Sequence, residues 1–333
     1  VFYSTIAKHT VLDCSTDSLY RQLEAQKDPS SMIDILLATY NGEAYIEEQV
    51  RSIVNQSFRE WRLLIHDDGS TDHTLEIVER LAKEDSRIVV IRDDVKKLGV
   101  ARHFIYLLQY AEAPFCMFCD QDDIWLPNKI EKMYEAIKIE KQDIPQVVYS
   151  NAYLWNTERG IISDKNTLTY PKTLRQMLFL NTGIQGAASI FNQAMCHYLR
   201  QPLDCYAMHD HVLLLAGICF GEVHYLHEPL MYYRQHDKNV TGNAPGSIRR
   251  KVLLMWQNRK VPLVSRLHWE GLNAFFARFH RELSANDKQL IEVFLRLREQ
   301  SFVARLSEIV KHRFQLFDST LLLIIKLCIR RYI

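Results

Sequence analysis

The chain has 333 residues, 47% of them hydrophobic and 24% charged, the profile of a globular protein rather than a disordered one. Its 41 Lys and Arg nearly balance 40 Asp and Glu, so no global charge draws it to nucleic acid, and any anionic ligand must be held by a local arrangement. The seven cysteines (14, 116, 119, 196, 205, 219 and 328) are scattered, several within apolar runs, which suits buried thiols in a reducing cytoplasm better than a disulfide framework. No N-terminal segment reads as a signal peptide, and no stretch reaches the roughly 18 apolar residues needed to span a bilayer.

Residues 1–31 are of mixed polarity and end in Asp28-Pro29-Ser30-Ser31, punctuation expected of a boundary, so they are set apart as an extension of unknown role. From Met32 the pattern alternates. Ile33 to Ala38 predicts a strand, and Ile46, Val50, Ile53 and Val54 recur at helix spacing. Trp61 to His66 predicts a second strand, broken by Asp67-Asp68-Gly69-Ser70; Ser70-Thr71-Asp72 is expected to cap a helix from Thr74 to Glu84. Ile88 to Arg92, Ala101 to Tyr110 and Phe115 to Cys119 then predict strand, helix and strand. Such alternation implies βαβ units and a mostly parallel sheet, in which ligands lie beyond the carboxyl ends of the strands.

Three of those strand ends carry Thr39-Tyr40-Asn41, Asp67-Asp68 and Asp120-Gln121-Asp122, and are expected to converge on one crevice. The apolar run at Phe115 ends abruptly in Asp120, Asp122 and Asp123, then Trp125. Carboxylates at a strand tip suit Mg²⁺ or Mn²⁺, which prefer oxygen ligands and are usually shared with substrate phosphates. Beyond Ser150 the rhythm loosens through Gly160 and Pro171, and a glycine-containing stretch, Thr182 to Ala188, precedes a helix near Gln193 to Arg200. Met208-His209-Asp210-His211 opens an apolar helix, Tyr232 to His236 forms another motif, and residues 246–333 read as helical.

Thr39-Tyr40-Asn41-Gly42, Asp67-Asp68-Gly69-Ser70-Thr71-Asp72, Asp120-Gln121-Asp122-Asp123-Ile124-Trp125, His209-Asp210 and Tyr233-Arg234-Gln235-His236 resemble, in this order, the motifs of inverting family 2 glycosyltransferases, within a rhamnosyltransferase-like bacterial branch. The resemblance covers about Ile33 to Gly242. It implies an α/β GT-A fold over residues 32–245 and a nucleotide-sugar donor, dTDP- or UDP-linked.

By that resemblance Thr39, Tyr40 and Asn41 line the base and ribose, and Asp67 accepts the N3–H of a pyrimidine, or instead opens a turn. Asp122 bonds a divalent cation, with Asp120 on the ribose or metal and His236 completing the set. Arg234 shares a strand face with His236 and is expected to point at the diphosphate. Asp210 is the general base, competent by geometry rather than by a large pKa shift, with His209 beside it. Trp125, Gly186 and Ala187 are expected on the acceptor side, the small residues allowing close backbone approach.

One departure concerns Lys97-Leu98-Gly99-Val100-Ala101-Arg102-His103-Phe104, where the family commonly has Asn-x-Gly-x-x-x-Asn-Phe; Lys97 or Arg102 then meets either the diphosphate or solvent. The acceptor implied is a glycan or lipid-linked oligosaccharide at the cytoplasmic membrane face. The basic and apolar residues of Ile248 to Leu254 and Leu321 to Arg331 are expected to rest on that membrane, or to pack on the catalytic domain or a second subunit of a homo-oligomer. Two other readings are a nucleotidyltransferase, which would need a Gly-rich basic loop where Tyr40-Asn41-Gly42-Glu43 stands, and a non-catalytic subunit that binds nucleotide sugars.

Overall fold

The computed structural model describes residues 29–167, 169–181, 184–235, 256 and 259–333. The extension through residue 28, His236 and the Ile248 to Leu254 stretch therefore lie outside the described residues.

Strands β1 (Ile33–Thr39), β2 (Trp61–Asp67), β3 (Ile88–Val90) and β4 (Phe115–Cys119) form a parallel block in the order β3-β2-β1-β4. The alternation of side chains explains its burial on both faces. Ile33, Ile35, Leu37, Ile65, Met117 and Cys119 turn to one core, and Leu36, Leu64, Cys116 and Phe118 to the other. Cys116 and Cys119 are thus buried free thiols.

Helices α1 (Ile46–Val54), α2 (Thr74–Glu84) and α4 (Lys129–Ile137) cover the first face. On the second lie α3 (Val100–Leu107), α6 (Gln193–Leu199) and α7 (His209–Phe220), with the short α5 (Leu174–Met177). The helix expected to reach Tyr110 gives way to a tighter turn over its last three residues.

Past β4 the sheet becomes mixed. Strand β8 (Ser189–Asn192) runs antiparallel to both β4 and β6 (Gln146–Asn156), while β9 (Glu222–Arg234) runs parallel to β6. The two-residue β5 (Ile124–Trp125) pairs with β9, not β4, and β7 (Gly160–Ser163) forms a hairpin with β6. The acidic turn Asp120–Asp123 therefore spans from β4 to a strand that belongs to the far edge of the sheet.

Helices α8 (Arg266–Phe279), α9 (Ala285–Arg296), α10 (Phe302–His312) and α11 (Thr320–Ile329) follow. Leu272, Phe275, Phe294, Phe314 and Leu323 join the second core with Phe179 and Leu214, so these helices cap the α/β body. Phe302, Val303, Val310 and Leu321 remain exposed. Among the described residues no helix is long and apolar enough to cross a membrane.

Candidate active site

Parallel register brings the strand ends together: Thr39 lies opposite Asp67, and Leu37 opposite Cys119. Hydrogen bonds then tie the three loops. Gln121 Oε1 accepts from Thr39 Oγ1 at 2.8 Å and from Tyr40 N at 2.9 Å, and Gln121 Nε2 donates to the Tyr40 carbonyl. Asn41, with φ of 48°, donates its N–H to Ser70 Oγ and accepts the Thr71 N–H on Oδ1. Thr39 is thereby buried, whereas Asn41 is exposed and Tyr40 is 53% exposed at the mouth.

Asp67 closes its own turn. Its Oδ1 accepts the Gly69 and Ser70 N–H groups at 3.0 and 2.7 Å, and its Oδ2 accepts the Ser70 hydroxyl. Asp68, buried behind it, accepts from Leu98 N and Gly99 N, so the departing Lys97 segment is clamped through its backbone. Arg102 donates to the Asp204 carbonyl, and Lys97 is exposed. Beneath the turn His66 Nδ1 meets His103 Nε2 at 2.7 Å, and His66 Nε2 meets Asp93 Oδ1 at 3.1 Å. Asp72, in the expected capping segment, accepts from Thr74 N and Oγ1 where the next helix starts, and His73 stands at the N-cap itself.

The acids of the β4 tip separate into two kinds. Asp123 is fully buried, and its Oδ1 accepts the Arg234 N–H at 3.2 Å, which makes it a strut between turn and β9. Asp120 and Asp122 are half-buried. Burial, then the charges of Asp122 and Asp210, push the Asp120 carboxyl up to about 7. Asp210, in the first turn of α7, is raised to about 7 by burial alone, and its Oδ1 is enclosed without a partner among the described residues. The pKa shift not expected from sequence is therefore present, and Asp210, distant in the chain, lies near enough for its charge to add to the rise at Asp120.

Three other expectations are corrected. Arg234 is 3% exposed and is engaged by the protein itself. Its Nε donates to the Asp122 carbonyl at 2.8 Å, its Nη1 to Thr157 Oγ1 at 2.9 Å and its Nη2 to Glu48, because β9 ends directly beneath the acidic turn. Trp125 is 2% exposed, with the Lys129 ammonium 3.7 Å from its ring centre, so no face is open to a sugar. His209 is 4% exposed between Phe104 and Phe118; neither ring nitrogen has a partner among the described residues, and burial lowers it to about 3. A neutral, enclosed imidazole packs behind Asp210 rather than meeting an acceptor.

Gly186 stands beside Asp210, and Ala187 follows it in the same turn. A Cβ on Gly186 would lie 3.5 Å from Asp210 Cβ. Lys129, which the sequence reading passed over, is fully buried at the start of α4, and its Nζ donates to the Ala187 carbonyl. Burial lowers its pKa to about 7, against the pull of Cys119, Asp123 and Asp120. One signal was available: a cation in a helix's first turn opposes the helix dipole and needs another partner.

Asp120 and Asp122, half-buried at a strand tip, are the kind of oxygen donors that Mg²⁺ or Mn²⁺ takes alongside phosphates, so these two residues fit such an ion. A tighter grouping of Glu140, Glu222 and His224 lies where β6 and β9 begin, at the opposite end of the sheet.

This parallel block, acid-tipped β4 and opposed carboxylate are the arrangement of a sugar-nucleotide transferase fold. Residues 34–199 match the model of the family described as Glycosyl transferase family 2, and over that segment the chain is a member of it. It is 38% identical over 105 residues to the dTDP-rhamnosyl transferase RfbG of Shigella flexneri, covering 30% of this chain and 36% of that one. It is 32% identical over 146 residues to the UDP-Glc:alpha-D-GlcNAc-diphosphoundecaprenol beta-1,3-glucosyltransferase WfgD of Escherichia coli, covering 43% and 55%. The matches thus span less than two thirds of these relatives. The crystal structure of S. aureus TarS 1-349 in complex with UDP shares the fold, with a TM-score of 0.51 at 18% identity, covering 83% of this chain and 75% of that one.

Proposed function

We propose that the chain is an inverting glycosyltransferase that moves a sugar from a nucleotide sugar to a hydroxyl of a glycan or lipid-linked oligosaccharide. The observation that carries this reading is the opposition of Asp210 to the β4 acids, with Asp210 raised to about 7. A base poised near neutral pH suits proton abstraction from an alcohol.

In the reaction the acceptor hydroxyl gives its proton to Asp210 as its oxygen attacks C1 of the sugar. The bond from C1 to the diphosphate oxygen breaks, the electron pair leaves with the nucleoside diphosphate, and the configuration at C1 inverts. Asp122 and Asp120, with His236, would hold the divalent cation, which supplies charge neutralisation for the departing diphosphate. Asp67 and Tyr40 would meet the base and ribose, Asp67 through the Oδ2 lone pair left by its turn. Gly186 and Ala187 would wall the acceptor.

The donor we favour is dTDP-L-rhamnose, in keeping with the likeness to RfbG. The likeness to WfgD covers more of this chain and supports a UDP-hexose as the second reading. Both readings suit bacterial surface polysaccharide synthesis at the inner face of the cytoplasmic membrane, where exposed Val303, Val310 and Leu321 would meet lipid.

The test is binding and slow hydrolysis of dTDP-β-L-rhamnose, UDP-glucose, UDP-galactose and UDP-N-acetylglucosamine with MnCl2 or MgCl2. Preference for the first supports rhamnosyl transfer, and preference for a UDP sugar supports the second reading. Neither binding nor hydrolysis of any of them sinks the proposal.

A further inference from the structure

Lys129 is the fully buried lysine of α4. Its Nζ donates to the Ala187 carbonyl at 2.5 Å and to Met231 Sδ at 3.2 Å, and it stands over the Trp125 ring. Its charge also acts on Asp120 and Asp123. One side chain therefore joins Trp125, just past the acid turn after β4, to the Gly186–Ala188 wall, whose Gly186 leaves no room for a Cβ beside His209 and Asp210.

Stability does not explain an ammonium in this place. Removing a charge from water is costly, and a well-packed hydrophobe of similar volume is often neutral or stabilising in its stead. Methionine is such a side chain, unbranched and adaptable, and here it would lie between Met231 and Trp125.

We propose that Lys129 is a positioning residue that locks the acceptor-side wall to the donor-side acids and so fixes the separation of Asp120 and Asp210. Its hydrogen bond holds the Ala187 backbone, and its charge draws Asp120 and Asp123 toward the same point. It acts through those groups rather than on the reacting atoms. This role rests on the glycosyl-transfer reading of the site.

The experiment is Lys129→Met in the full chain, followed by thermal melting, amide hydrogen exchange, UDP and dTDP affinity with MnCl2, and donor hydrolysis. The expected variant melts at or above the wild-type temperature, yet its amides at 186–188 exchange at least tenfold faster. Its nucleotide Kd stays within threefold while kcat for hydrolysis falls at least tenfold at unchanged KM. Unchanged exchange at 186–188 or unchanged kcat overturns the proposal. So does a variant that fails to fold or melts lower in step with its loss of activity, because stability then accounts for the ammonium. The exchange measurement needs no substrate, so it separates the two ideas: a wild-type chain inert toward every sugar nucleotide refutes glycosyl transfer, and a rigid 186–188 segment in Lys129→Met refutes the lock.

Discussion

Gly186 lies so close to His209 that a Cβ built on it would stand 2.3 Å from His209 Nε2. The imidazole cannot withdraw, since Phe104 and Phe118 pack against it at ring-centre distances of 4.0 and 5.0 Å. Gly186→Ala should therefore displace the wall from Asp210, cost about 1–3 kcal/mol as overpacking does, and lower transfer at least tenfold. Thermal melting and a transfer assay check both parts; an alanine tolerated without loss would show that the contact is not tight in solution.

Asp210 links activity and stability through pH. Its folded value of about 7 exceeds the roughly 3.9 of a free aspartate. Between those values the folded chain holds a proton that the unfolded chain releases, so this contribution is full below the lower value and is lost as pH rises through the upper one. Asp210→Asn should melt higher than wild type at pH 8 and level with it near pH 4. Its transfer rate should fall by about 100-fold or more, the usual contribution of a general base, while nucleotide binding is retained. Wild-type turnover should rise with pH through about 7. Undiminished transfer in Asp210→Asn would remove the base assignment.

Arg234 holds the acidic turn from below, through the Asp122 carbonyl, Thr157 and Glu48. Arg234→Met should leave the half-buried Asp122 carbonyl and the Thr157 hydroxyl without this donor, at a cost of about 1–3 kcal/mol. Affinity for UDP with MnCl2 should weaken with it, because the turn that carries Asp122 loses its support. Calorimetry on the variant checks this; an unchanged Kd would mean that Gln121 and Asp123 hold the turn without Arg234.

Metal dependence has its own measurement. EDTA should suppress donor hydrolysis almost completely, and added MnCl2 should restore it. Asp122→Asn should blunt the restoration at equal metal concentration. Full turnover in EDTA would withdraw the cation from Asp120 and Asp122.

Much of this protein is legible in one dimension. Apolar runs such as Phe115 to Cys119 and the helix-spaced Ile46, Val50 and Ile53 fix the βαβ order, because period and burial are local properties of sequence. Motif order named the family, and parallel pairing then guaranteed that the ends of β1, β2 and β4 would meet. Direction and depth were not legible. Whether Trp125, Arg234 or His209 faces a ligand or the core depends on what β9, α4 and α7 bring from elsewhere in the chain. Only the packed structure seats Lys129 between Trp125 and the Ala187 carbonyl, and only the loss of water around Asp210 raises its pKa, since desolvation arises from neighbours that the sequence does not place side by side.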